Sequence, residues 1–256
     1  NLESGKISYA ELTKFPKTSK SDVNKMLFND CGPERYSQTS GFAFLDKSLN
    51  QDALFNLSEN YKDGINEVYV FEKKIENLLI KKIISFGPDD YYLKIRDSIQ
   101  NLNLNEIKLA PFSKIDRSSE IVEAKGSGFT DPSSFAYLGH CLLYTSEENY
   151  LKISFNDISE KEFKQISNDG WAAMLQHYFL TAVIPDEDED FVFQAKQKNN
   201  GDYSIGIVGL TKSLKIEESA IFNHKIYFGP KIQSELTKAH SQLYLAVDYG
   251  FLWWIG

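Results

Sequence analysis

Cysteine is nearly absent: Cys31 and Cys141 are the only two in 256 residues. They form no CxxC pair, and His140 beside Cys141 has no further ligands at zinc-site spacing, which excludes a zinc ribbon and a redox dithiol. The two cysteines read either as a lone disulfide in an oxidising compartment or, more plainly, as two buried free thiols. No run of about 18 or more apolar residues exists, so nothing reads as a bilayer-spanning helix. Basic residues are outnumbered, 28 Lys+Arg against 36 Asp+Glu, for a net charge of −8. That balance argues against a protein that grips nucleic acid over a broad face. Walker loop, GxGxxG, HExxH, GxSxG and EF-hand patterns are all missing. The chain starts at Asn1 with no Met and no signal-peptide core, as expected of a piece of a longer protein.

What is present is ordinary globular material, 42% apolar and 25% charged, and the 14% aromatic content leans toward sheet. Period-two alternation dominates from about Asn66 onward. Tyr91, Leu93 and Ile95 alternate with Lys94 and Arg96. Leu151, Ile153 and Phe155 alternate with Lys152 and Ser154, and Phe191, Phe193 and Ala195 with Gln194 and Lys196. Ala220, Phe222, Ile226 and Phe228 repeat the pattern. These are half-buried strands with one wet face. Apolar runs at 68–71, 78–84, 134–144 and 205–210 read as strands buried more completely.

Turn chemistry separates them. Gly87-Pro-Asp-Asp90 and Asn199-Asn-Gly-Asp202 are hairpin signals, and the acidic run Pro185 to Asp190 is expected to join another adjacent pair. Hairpin order without crossover helices predicts an antiparallel sandwich. One helix is predicted over about 230–243: Pro230 suits a first turn, and Ile232, Leu236, Ala239 and Leu243 recur at helical spacing. A weaker helical stretch is Ser159 to Ile166. Residues 18–40 read as loop.

Candidate chemistry is sparse. Gly126-Ser-Gly128 lacks the strand-to-helix context of a phosphate loop. Asp186 to Asp190 lacks the glycine and distal Glu of a calcium loop and reads as a solvated hairpin tip. His177 and His224 fall in strands, His224 on the apolar side beside Phe222 and Ile226. Strand histidines converging with a Glu would suit acid–base work on a sugar, but none is paired at motif distance, and core histidines are the plainer expectation. No catalytic residue, metal or cofactor is predicted.

Two segments near the C-terminus carry a resemblance. Gly170-Trp-Ala-Ala-Met-Leu-Gln-His-Tyr-Phe-Leu-Thr-Ala-Val-Ile-Pro185 resembles the Gly-Trp-x-Ala-Met-x-Gln-x-Tyr-Phe…Ala-x-Ile-Pro strand of the bacterial YidC membrane protein insertases. Tyr227-Phe-Gly-Pro-Lys231, a helix, and Val247-Asp-Tyr-Gly-Phe-Leu-Trp253 follow in the family's order. Gly5-Lys-Ile-Ser-Tyr-Ala-Glu-Leu12 with Phe15 and Pro16 resembles its first strand more weakly. Val183 stands where the family often has Trp.

The resemblance implies a large periplasmic domain, a galactose-mutarotase-like β-supersandwich over residues 1–247 with a C-terminal flanking helix, on the periplasmic side of the inner membrane. It implies partners of the whole insertase: the Sec translocon with its auxiliary subunits, and nascent inner-membrane proteins. Its motif residues Gly170, Trp171, Met174, Gln176, Tyr178, Phe179, Pro185, Gly229, Pro230 and Lys231 are expected to be core. Trp171, Leu175, His177 and Phe179 are expected on one strand covered on both faces. Residues 248–256 are expected to begin an interfacial segment leading to a transmembrane helix. There Asp248, Tyr249 and Gly250 would form a hinge, and Phe251, Leu252, Trp253 and Trp254 would sit at the membrane interface. The rival expectation is a carbohydrate-binding or aldose-epimerase-like protein of the same fold.

Overall fold

The computed structural model describes residues 5–16, 24–31, 34–45, 54–102, 105–119, 139–176, 178–186 and 189–247. The first strands are β1 (Lys6–Ile7), β2 (Tyr9–Pro16), β3 (Asn24–Asn29), β4 (Tyr36–Phe44), β5 (Asn56–Asp63) and β6 (Asn66–Ile75). Next come β7 (Leu78–Phe86), β8 (Tyr92–Asn101), β9 (Ile107–Arg117), β10 (His140–Thr145), β11 (Tyr150–Ser154) and the short helix α1 (Phe155–Glu160). Then follow β12 (Phe163–Ser167), β13 (Gly170–Leu175), β14 (Phe179–Pro185), β15 (Phe191–Gln197) and β16 (Tyr203–Gly209). The chain continues through β17 (Lys212–Leu214), β18 (Ser219–Pro230), helix α2 (Gln233–Ala239) and a 3₁₀ turn at Leu243–Ala246.

The strands form two nine-stranded antiparallel sheets. One runs β12-β15-β16-β9-β4-β3-β2, with β1 on β4 and β17 on β9; the other runs β11-β10-β13-β14-β18-β8-β7-β6-β5. Their facing apolar sets make one core, which includes Ile80, Ile84, Ile95, Ile99, Phe191, Phe193, Ile205, Phe222 and Ile226. A second core lies on the other side of the second sheet, where Leu236, Ala239 and Leu243 pack on Trp171, Leu180, Ala182 and Tyr227. Strands β13 and β14 are therefore covered on both faces, as the sequence predicts.

Several expectations need correction. Residues 170–185 form two antiparallel strands, not one: Leu175 pairs with Leu180, and Gln176 N–H donates to the Phe179 carbonyl at 3.0 Å where β13 gives way to β14. Trp171, Ala173 and Leu175 of β13 face α2, and Leu180, Ala182 and Ile184 of β14 do so too. The parity reverses, which places Phe179 on the opposite side, with Leu12 and Leu27. Because both faces are apolar, composition hides that reversal. The run from Pro185 to Asp190 does not join neighbours; it carries the chain from β14 in one sheet to β15 in the other.

Residues 18–40 include β3 and the start of β4. The alternation is masked there because the buried positions of β4 include Ser37, Gln38 and Ser40. The helical stretch lies earlier than expected. Ser154 caps α1, its hydroxyl accepting from Asp157 N–H while the Asp157 carboxylate accepts from Ser154 N–H, so Phe155 opens a helix instead of ending a strand. Residues 163–167, at the end of that stretch, are strand β12. In β7, where fuller burial was expected, buried and half-buried residues alternate. Pro230 ends β18, and α2 starts at Gln233 with Ile232 46% exposed, so the docked stripe is Leu236, Ala239 and Leu243. Both cysteines are free, as the free-thiol reading has it, but only Cys141 is buried and Cys31 is exposed.

Candidate functional site

Part of the motif supports α2, and the rest lies elsewhere. Trp171 is fully buried, stacked on Tyr144 at a centroid distance of 6.1 Å with Tyr150 beside it. Gly170, at φ 142°, fits where a Cβ would lie 2.0 Å from the Tyr144 carbonyl oxygen. Met174 points to the other side, into the core between the sheets, and Gln176 is buried at the turn. Phe179 pairs with Pro230 and Leu180 with Gly229, while Pro185 stands opposite His224. Gly229 is required by packing, since a Cβ there would lie 2.6 Å from Tyr91 Cβ. The Tyr227 hydroxyl donates to the Pro230 carbonyl at 2.5 Å, and burial, then Glu235, pushes its phenol up. Lys231 N–H donates to the Tyr178 carbonyl at 2.9 Å. Tyr178 alone of the apolar motif side chains projects outward, 66% exposed.

Beside this turn is a cleft of about 310 Å³ between β2 and the β7–β8 hairpin. Its walls are Leu12, Phe86, Tyr91, Leu93 and Phe228. Lys14 and Asp89 pair across its mouth at 2.6 Å, which holds the Asp89 carboxyl below its usual range. Phe15 packs edge-on against Phe179, 5.5 Å between centroids, and leans on Tyr91. The result is an open, aromatic-floored depression with charges of both signs at its rim. It can seat an apolar side chain or short segment and lacks a nucleophile–base pair.

A more reactive-looking group is sealed inside. Lys82 of β7, Asp97 of β8 and His224 of β18 are each at most 1% exposed. Such a site admits no substrate. Sequence parity carried the signal: Lys82 falls in phase with Leu78, Ile80 and Ile84, and Asp97 with Ile95 and Ile99. His140 does not join His224, being three strands away and offset by five residues along the strands, about 20 Å in all. His177 and residues 248–254, including the expected hinge and interface tryptophans, lie outside the described residues. Among the described residues no cluster of His, Cys, Asp or Glu is placed to hold a metal, and no helix is long and apolar enough to cross a membrane.

Comparison with known proteins agrees with this picture. A membrane protein insertase YidC from Pseudoalteromonas atlantica is 29% identical over 264 residues, covering 100% of this chain and 46% of that protein. One from Pseudomonas putida strain F1 is 32% identical over 263 residues, covering 98% and 46%. The chain thus spans about half the length of the curated relatives it matches. Among solved structures, a GH36 α-galactosidase from Geobacillus stearothermophilus superposes on 92% of this chain and 34% of its own, with a TM-score of 0.54 at 8% identity. That likeness shows the fold alone, a β-supersandwich of the galactose-mutarotase type. The family model of the YidC periplasmic domain matches residues 1–256. The chain belongs to the YidC periplasmic domain family.

Proposed function

We propose that this chain is the non-catalytic interaction domain of an insertase that helps inner-membrane proteins enter and fold, alone or with the Sec translocon and its auxiliary subunits. It works on the periplasmic side of the inner membrane, with residues 1–247 as one domain and 248–256 leading to the membrane. The observation that carries this reading is the use made of the family motif. Its apolar residues are spent on the sheet and on docking α2, and among the described residues no reactive group stands in an open cleft. The exception is Tyr178, presented at the turn next to the aromatic cleft. We assign partner contact to this end of the sandwich.

Photo-crosslinking from Tyr178 and Asp89 in the full-length insertase, in membranes containing the Sec components, tests it. Adducts with a Sec subunit or a nascent chain are expected. The sugar-enzyme reading has no comparable support, because His140 and His224 do not converge. Mutarotase turnover abolished by His224→Gln would restore it.

A further inference from the structure

We propose that Lys82, Asp97 and His224 form an acid-sensitive latch between the two sheets. Lys82 Nζ reaches across the core, donating to the Ser40 hydroxyl at 2.6 Å and to the Ser40 carbonyl at 3.2 Å. It is held on its own sheet by Asp97 Oδ1 at 2.5 Å, a charge contact without hydrogen-bond alignment. His224 Nδ1 lies 4.0 Å from Asp97 Oδ2, beyond hydrogen-bond reach, and neither ring nitrogen has a hydrogen-bond partner. The ring instead stacks on Phe222, 4.5 Å between centroids.

A buried ion pair contributes little to stability compared with apolar residues of the same shape, whereas leaving one of its charges unbalanced is strongly destabilising. This cluster is balanced only while His224 is neutral. Burial and then the Lys82 ammonium keep the imidazole well below its ordinary value, so at neutral pH an uncharged ring stands beside the Lys82–Asp97 ion pair. The charged groups around it offer no relief. Lys82 and Asp97 face it from β7 and β8, Lys73 of β6 adds a second ammonium behind them, and β4 presents only the uncharged Ser40.

A proton on His224 therefore leaves the interior with an excess cation competing with Lys82 for Asp97. The contact that gives way is the one between sheets, Lys82 to Ser40. Ser40 belongs to β4, on which β1 is paired through Thr39 and Gln38. Gly5 sits so close that a Cβ would lie 3.0 Å from the Ser40 oxygen and 3.4 Å from Lys82 Cε. Opening the latch thus loosens β4 and the N-terminal β1, while β13, β14 and α2 keep their own core.

The sign follows from linkage. The unfolded or opened chain takes up a proton near pH 6.5 that the closed state refuses, so closure weakens as pH falls below about 6.5, by up to tenfold in the equilibrium constant per pH unit. The test is an imidazole ¹⁵N titration of the 256-residue chain, with amide exchange at pH 7.5, 6.5 and 5.5, for wild type and His224→Gln. The latch predicts a His224 ring neutral through pH 6, and opening constants in β1 and β4, taken from exchange after correction for the pH dependence of the intrinsic rate, rising several-fold toward pH 5.5 ahead of β13 and β14. In His224→Gln that selective rise should vanish. A His224 ring titrating at its ordinary value, or exchange rising equally in all four strands, would overturn it. So would an identical pH profile in the variant. If His224→Gln does not fold, the wild-type titration and exchange still decide.

Discussion

Leu236 is the residue on which α2 depends, fully buried against Trp171, Leu180 and Tyr227. Leu236→Ala should cost about 2–4 kcal/mol in urea unfolding, because the lost methyl groups leave a cavity under a short helix. Ile232, first expected in the same stripe, is half in water, and Ile232→Ala should stay within about 0.5 kcal/mol. The two cysteines differ as sharply. Burial pushes the Cys141 thiol up to about 12, while Cys31 is exposed. A thiol reagent at pH 8 should label Cys31 in the native chain and reach Cys141 only after unfolding. Rapid labelling of both would mean that the β10–β13 core opens readily.

Among the elements, α1 shows what a single cap can do. Its six residues are too few to persist alone, and the reciprocal Ser154–Asp157 bonds fix where the strand stops. Ser154→Ala should cost about 1 kcal/mol by thermal or urea unfolding, and Asp157→Ala should show the loss is shared. An unchanged midpoint in both would show that Phe155 and Ile158, buried beneath the helix, hold it without the cap.

The elements also show what the sequence could reveal. The hairpins at Gly87 to Asp90 and at Asn199 to Asp202 were legible because turn residues interrupt clear alternation. Strand β4 was hidden by polar residues that are buried, and the β13–β14 turn by apolar residues on both faces. Parity is informative only when the two faces differ in polarity. The candidate site was less legible still. Cleft residues such as Leu12, Tyr91 and Phe228 come from distant strands, and only pairing in three dimensions brings them together. Lys82 and Asp97 were visible as charges in apolar phase, but their meeting with Ser40 required the second sheet.

At the scale of the molecule, the fold is one shared with glycosidases at 8% identity. The two sheets seal the Lys82–Asp97–His224 group between them, and part of the family motif holds a helix against the outer face. On the proposed function, Tyr178 and the neighbouring cleft are the face offered to partners. The most direct measurement is site-specific crosslinking from Tyr178 in the full-length insertase in native membranes, with matched probes at Leu57 of β5 and Ile166 of β12, which are also exposed. The account predicts adducts with Sec components or nascent chains from Tyr178 in clear excess over both controls. Adducts from Leu57 or Ile166 with none from Tyr178 would contradict it.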